Sequence, residues 1–324
     1  MKKLLFILIF YSSLASAQTM HQRAFSTADI DQWLYYSLYP SNILEVNDGF
    51  IIAGHTQHGL PFIIKTDKFM NYKWAKALEI YPGVFAEIAM SKDNYLCAIG
   101  TSGQKETKSL VKFNFNGDVV WTKAFEGPGD SQGTKIKCLS NGDVLIAGSY
   151  TVNSNAYNSL IKCNAAGNIL WSKNYDMRTI RDVLQLSDTT AILVGGANDE
   201  GDLRKINLST GSVIWAKQYH PISGNLRLTS IVKGNNNDFY ISGKTTIPIV
   251  LKTDADGNMI WSKIFDISTS NNEAPKIIST SDGNFVFSGM YVENFKYNIF
   301  SIKINNNGDT LWTNSQKDAT DGSF

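Results

Sequence analysis

The chain has 324 residues, of which 43 % are hydrophobic and 18 % charged, with 30 Lys and Arg against 29 Asp and Glu. A formal net charge of +1 provides no electrostatic footprint for nucleic acid or an anionic membrane surface, so neither is expected as a partner. Roughly 300 residues remain beyond a short leader, enough to bury a large core as one repeat domain.

The N-terminus predicts a secretory leader. Met1-Lys2-Lys3 precedes an apolar run ending near Tyr11, and Ala15-Ser16-Ala17 follows; this is the order of a signal peptide, here over 1–17 with cleavage near Ala17. A membrane span needs about 20 apolar residues, and neither this run nor any later stretch reaches that length. No cysteine follows the cleavage site, which argues against a lipid anchor. The mature protein is therefore expected to be secreted or periplasmic, and monomeric. Residues 18–40 form an N-terminal segment in which Trp33 marks a candidate closing strand.

From residue 41 the chain repeats. Trp74, Trp121, Trp171, Trp215, Trp261 and Trp312 recur every 44 to 51 residues in one phrase, as in Gly117-Asp-Val-Val-Trp121 and Gly257-Asn-Met-Ile-Trp261. A period in this range is that of one propeller blade. The units are cut at 41–79, 80–126, 127–176, 177–220, 221–266 and 267–314, with a C-terminal tail over 315–324. Each holds a near-continuous apolar run ending in glycine, such as Phe50–Gly54, Val144–Gly148 and Phe239–Gly243, which predicts a second strand buried on both faces. Asp-Gly and Asn-Gly turns between the runs predict an antiparallel meander of four short strands. The expected class is all-β, a β-propeller with six blades. The alternative is seven, with Trp33 as a further fourth strand and a last blade needing residues beyond Phe324.

A lysine stands nine residues before the tryptophan (Lys65, Lys112, Lys162, Lys252 and Lys303, with Lys205 one place off), and another two residues after it. Both series are expected to face solvent on outer strands, where charge blunts edge-to-edge association. The aromatic four places after tryptophan (Phe125, Tyr175, Tyr219, Phe265) shares its strand face and is expected to pack. Cys97, Cys138 and Cys163 lie in apolar patterns and are expected to be buried thiols. Cys138 and Cys163 fall on first and third strands of one blade, about two strand spacings apart and too far to bridge.

The phrase Asn207-Leu-Ser-Thr210-Gly211-Ser-Val-Ile-Trp215 resembles the tryptophan-docking repeat of the quinoprotein, PQQ-dependent propeller superfamily. Gly117, Gly167, Gly257 and Gly308 keep the spacing from glycine to tryptophan, while residues 70–74 lack the glycine. The resemblance implies that each tryptophan docks on the following blade. The superfamily's enzymes also use a vicinal disulfide, and this chain has no adjacent cysteines, so quinone chemistry does not carry over and no cofactor is expected. The sialidase Asp-box is similar but places tryptophan three after glycine, and the five arginines are not distributed over blades as its triad requires. In style the chain also resembles secreted repeat proteins of Bacteroidota.

No catalytic motif is present: there is no nucleophile elbow, phosphate loop or His-Glu-x-x-His helix. His55 and His58 lack the third ligand a catalytic zinc needs, the carboxylates of Asn198–Asp202 are expected in a solvated turn, and Thr253–Gly257 is explained as a tight turn. No metal is expected. Ligand recognition is expected on the loops joining blades and joining second to third strands, with Asp130, Tyr150, Tyr157, Arg178, Arg181, Asp199 and His220 as candidates. The expected function is a secreted, non-catalytic binding or scaffold module for a glycan, peptide or protein. The alternatives are a glycan-active hydrolase or lyase with carboxylates at the axial mouth, and a fragment of a larger surface protein.

Overall fold

The computed structural model describes residues 38–78, 83–102, 107–127, 130–153, 155–197, 200–220, 225–267, 275–293 and 296–316, and the backbone alone at 5–10 and 20–25, which pair as an antiparallel ribbon. Every regular element among them is a strand. Six four-stranded antiparallel sheets follow one another, each with its strands in chain order. The fold is a six-bladed β-propeller, as the repeat count favours. Blade 1 opens with Leu38–Val46 and closes with Tyr72–Ala77, so its four strands come from one continuous stretch. Trp33 lies outside the described residues. The chain divides into two compact units, Met1–Tyr175 with blades 1 to 3 and Asp176–Phe324 with blades 4 to 6.

Within each unit the core lies between blades. Ile51, Ala53 and Ile63 of blade 1 pack with Phe85, Ala98, Val111 and Phe113 of blade 2, and blades 4 and 5 share Ile192, Val194, Leu203, Leu228, Phe239 and Ile241. Second strands have both faces covered, which is why their apolar runs lack alternation: Ile51, Ile52 and Ala53 are all fully buried. Trp74, Trp121, Trp215 and Trp261 each pack into the cluster between their own blade and the next. Phe125, Tyr219 and Phe265 are buried as expected, and the Tyr219 hydroxyl donates to Gly257 O of the next blade at 2.7 Å.

The turn between third and fourth strands explains the glycine in the tryptophan phrase. An Asx side chain caps it: Asn114 Oδ1 accepts from Asn116 N and Asp118 N, and Asp254 Oδ1 from Asp256 N and Asn258 N. Gly167 closes its turn at φ 79°, a left-handed conformation that favours glycine. A Cβ there would lie 2.8 Å from Lys123 Cγ and 3.1 Å from Trp121 Cη2 of the preceding blade. Two demands thus meet at one residue, backbone handedness and close approach of an indole. Blade 1 has Met70 instead, at φ 65° and buried. In blade 4 Gly211 N bonds Asn207 O, one residue further back than Gly117 N to Asn114 O. That extra turn residue is why Lys205 is displaced in sequence while still pairing with Trp215, as Lys112 does with Trp121.

The third-strand lysines correct the sequence reading. Lys65, Lys112, Lys162 and Lys303 are buried and Lys252 nearly so. The third strand lies inside the sheet, flanked on both sides, and is not an outer strand. Each lysine reaches an aspartate in its own blade's first hairpin turn: Asp48 at 2.5 Å, Asp93 at 2.6 Å, Asp143 at 2.8 Å, Asp238 at 2.9 Å and Asp282 at 2.6 Å. The second series behaves differently. Lys76 and Lys263 are partly exposed and reach across to Asp118 and Asp309 of the next blade. Cys97 and Cys163 are buried and Cys138 nearly so. Burial pushes the Cys163 thiol up to about 12, with the Asp143 charge adding. Cys138 packs with Cys97 of the preceding blade in one cluster, a neighbour its strand pattern did not indicate.

Two measurements check this account. Gly167→Ala and Gly59→Ala impose the same left-handed penalty of about 1 kcal/mol, but only Gly167 has an indole against it; nothing lies within 4 Å at Gly59. Gly167→Ala is expected to lose about 1–2 kcal/mol more in urea denaturation, and equal losses would remove the indole contact from the explanation. Asp238→Ala leaves the nearly buried Lys252 ammonium with Asn306 O but no carboxylate and is expected to cost roughly 2 kcal/mol. Lys252→Met removes the charge and is expected to cost clearly less; the reverse order would contradict the pairing.

Candidate functional site

A meander places the connections between second and third strands, and those between blades, at one end of each blade. In blade 3, Asp130 begins the first strand there, exposed and opposite Thr151. Tyr150 and Tyr157 face each other across the second and third strands, their rings stacked at 5.3 Å and 19°. Tyr157 is 45 % exposed, so the stack presents an aromatic surface at the loop end. Asn174 Nδ2 donates to Tyr150 Oη at 2.7 Å and fixes that ring from below.

Lys108 of blade 2 lies against the same face. It is only 2 % exposed, and its Nζ lies 5.7 Å from the Tyr150 ring centre. Its Cε passes 2.6 Å from where a Cβ on Gly148 would be, so glycine makes room for the stem. Ser159, the cross-strand partner of Gly148, shares that face, and its Oγ is buried with no hydrogen-bond partner among the described residues. Among the described residues Lys108 has no acidic partner, and burial lowers its pKa to about 8.

In blade 4, His220 Nδ1 lies 2.9 Å from Glu200 Oε1 across adjacent strands. Asp199 lies outside the described residues. Asp202 is fully buried and takes two bonds from Arg204, at 3.0 and 2.8 Å. The carboxylates of this segment therefore do not share a solvated turn: Glu200 and Asp202 belong to the strand Glu200–Asn207 and point to separate partners. Arg178 is exposed, and Arg181 lies half-buried in the first strand Thr179–Gln185. Arg227 opens the first strand of blade 5, Arg227–Lys233. Burial, and then the charges of Arg227 and Arg178, lower the Arg181 pKa.

Five of the seven candidates thus gather in two places. Tyr150, Tyr157 and Asp130 share the loop end of blade 3, and Arg178 and Arg181 lie with Arg227 in the second unit. Lys108, Asn174 and Glu200 were not among the sequence candidates. His55 stacks on Tyr39 at 5.5 Å, and burial lowers its pKa. Among the described residues no three His, Cys, Asp or Glu side chains are grouped to hold a metal ion, and no helix is long and apolar enough to cross a membrane.

No protein-family model and no curated protein matches the sequence. The fold is similar to a protein of unknown function from Bacteroides caccae, with a TM-score of 0.56 and 14 % identity over 83 % of this chain and 93 % of that one. It is also similar to BamB from Moraxella catarrhalis, at 0.52 and 13 % over 87 % and 92 %, and to the Dos1 propeller, at 0.55 and 14 % over 88 % and 76 %. At these identities the likeness concerns the fold.

Lys108 gives a pH prediction. Its folded pKa of about 8 lies below the value of about 10.4 for a free lysine. Between these values the unfolded chain holds more proton, so stability rises with pH there, and the burial penalty is complete below about pH 8. Lys108→Met is expected to stabilise the protein by about 1–2 kcal/mol at pH 7, an advantage that fades towards pH 10.5. A constant difference across that range would show that Lys108 does not titrate as described.

Proposed function

We propose that this protein is a non-catalytic binding or scaffold propeller, exported by the leader at 1–17, that recognises a glycan, peptide or protein through the loop-bearing ends of its blades. The observation that carries this reading is the Tyr150–Tyr157 stack, a rigid aromatic surface left open at a loop end. Stacked tyrosines offer a large apolar face with a polar rim at little entropic cost, which suits a sugar ring or an apolar side chain. Buried carboxylates support a non-catalytic role because they are engaged in structure. Glu87 accepts from Ile136 N at 2.8 Å and pairs with Lys135, Asp182 accepts from Ser230 Oγ and Ile231 N at 3.0 Å, and Asp202 holds Arg204. The tryptophans, in this reading, are docking residues for the following blade and no part of a cofactor site. The protein acts as a monomer without a cofactor.

Screening against glycan and peptide arrays tests the proposal. Binding is expected for the wild type, and Tyr157→Ala is expected to lose tenfold or more in affinity (about 1.4 kcal/mol) with an unchanged melting temperature. No ligand for the wild type, or full retention by Tyr157→Ala, would refute it.

A further inference from the structure

The first strands of blades 1 to 5 carry a one-residue bulge at one place, flanked by Pro40 and Asn42, Phe85 and Glu87, Gly133 and Lys135, Ile180 and Asp182, and Leu228 and Ser230. The bulged residues are Ser41, Ala86, Thr134, Arg181 and Thr229. In two of the three slots that hold a hydroxyl it bridges blades, Ser41 Oγ donating to Phe85 O at 2.6 Å and Thr229 Oγ1 to Pro275 O at 2.5 Å, while Thr134 Oγ1 donates to Ala147 O of its own blade at 3.4 Å. The bulge thus aims its side chain at the first strand of the following blade. Small residues suffice for that contact. Blade 4 alone among the five puts an arginine there.

The direction of the slot brings Arg181 towards Leu228, which pairs with Gly243 as Phe85 pairs with Gly100, and hence towards Arg227. Arg178 precedes the bulge by three residues. Among the described residues none of the three guanidiniums has an ion pair or a side-chain hydrogen bond. This contrasts with Lys65, Lys112, Lys162, Lys252, Lys303 and Arg204, each of which is matched to an acid. Guanidinium stays charged at any accessible pH and offers a planar fork of donors. Three such groups brought together repel one another, and among the described residues no acid pairs with them and no protein acceptor takes their donors.

We propose that Arg178, Arg181 and Arg227 form a binding site for an oxyanion, the carboxylate, sulfate or phosphate group of a ligand, with Arg181 at its centre in the bulge slot. Bidentate recognition of such a group satisfies the donors and relieves the repulsion at once. The site belongs to the second unit and stands independently of the tyrosine stack.

Titration calorimetry and melting curves with sodium acetate, sulfate and phosphate test it, against chloride at equal ionic strength. The wild type is expected to bind at least one of the three and to melt at a higher temperature in its presence. The preferred anion distinguishes a planar carboxylate from a tetrahedral ester. Arg227→Gln, at an exposed position, and Arg181→Gln are each expected to weaken binding at least tenfold, whereas Lys233→Gln, an exposed charge elsewhere in blade 5, leaves it intact. Arg181→Lys, which keeps the charge without the fork, is expected to lose part of the affinity. Tyr157→Ala is expected to bind the anion as wild type does, so failure of the stack and failure of this site are separable. A wild type that responds no more to the oxyanions than to chloride, or an unchanged response in Arg227→Gln, would overturn the proposal.

Discussion

A four-stranded sheet of apolar second and third strands has two faces to cover and nothing of its own to cover them with. Everything else in this molecule follows from that constraint. Within each unit the clusters straddle neighbouring blades, so a blade without neighbours would expose most of its apolar surface to water. Apolar packing is not directional and cannot by itself fix how two sheets meet. Direction comes from polar fittings at the seam. Glu87 and Asp182 occupy equivalent places and cap a backbone N–H of the next blade's bulged strand, while an indole approaches the turn glycine of the next blade closely.

The lysine–aspartate pairs play a complementary part inside each blade. The ammonium of an interior strand is held by a carboxylate from the first hairpin turn, so hairpin and third strand are tied across the second. The Lys65 ammonium holds Asp48 below the usual carboxylate range, and the Lys303 ammonium holds Asp282 well below it. A near-neutral chain therefore conceals a set of internal charges that cancel locally.

Blade number and strand order were legible in the sequence because tryptophan, turn glycine and apolar run recur at one period, and periodicity is a direct image of stacking. What periodicity does not carry is orientation. Lys65 and its equivalents were correctly seen to recur, but recurrence alone does not say whether a position faces water. Two of their partners, Asp48 and Asp282, precede glycine in Asp-Gly turns, where turn geometry alone explains an aspartate. Of the candidate site, Tyr150 and Tyr157 are symmetric about a hairpin and so were readable as neighbours. Arg227 follows Arg181 by about one repeat, which is the distance that sets residues side by side on adjacent blades. Lys108 belongs to no repeating series, and Cys97 meets Cys138 between blades rather than within one, so neither contact had a signal in the spacing.

The bulge in the first strand has a wider consequence. Its backbone is pinned by ladder pairs on both sides, yet the residue itself contributes no rung. Serine, alanine, threonine and arginine all occupy it in this one chain. Such a position is free of the strand ladder, so a repeat scaffold copied by duplication acquires a ready-made set of variable sites, and directed libraries confined to the bulges without an inter-blade hydroxyl bond would diversify recognition while leaving the strands in register.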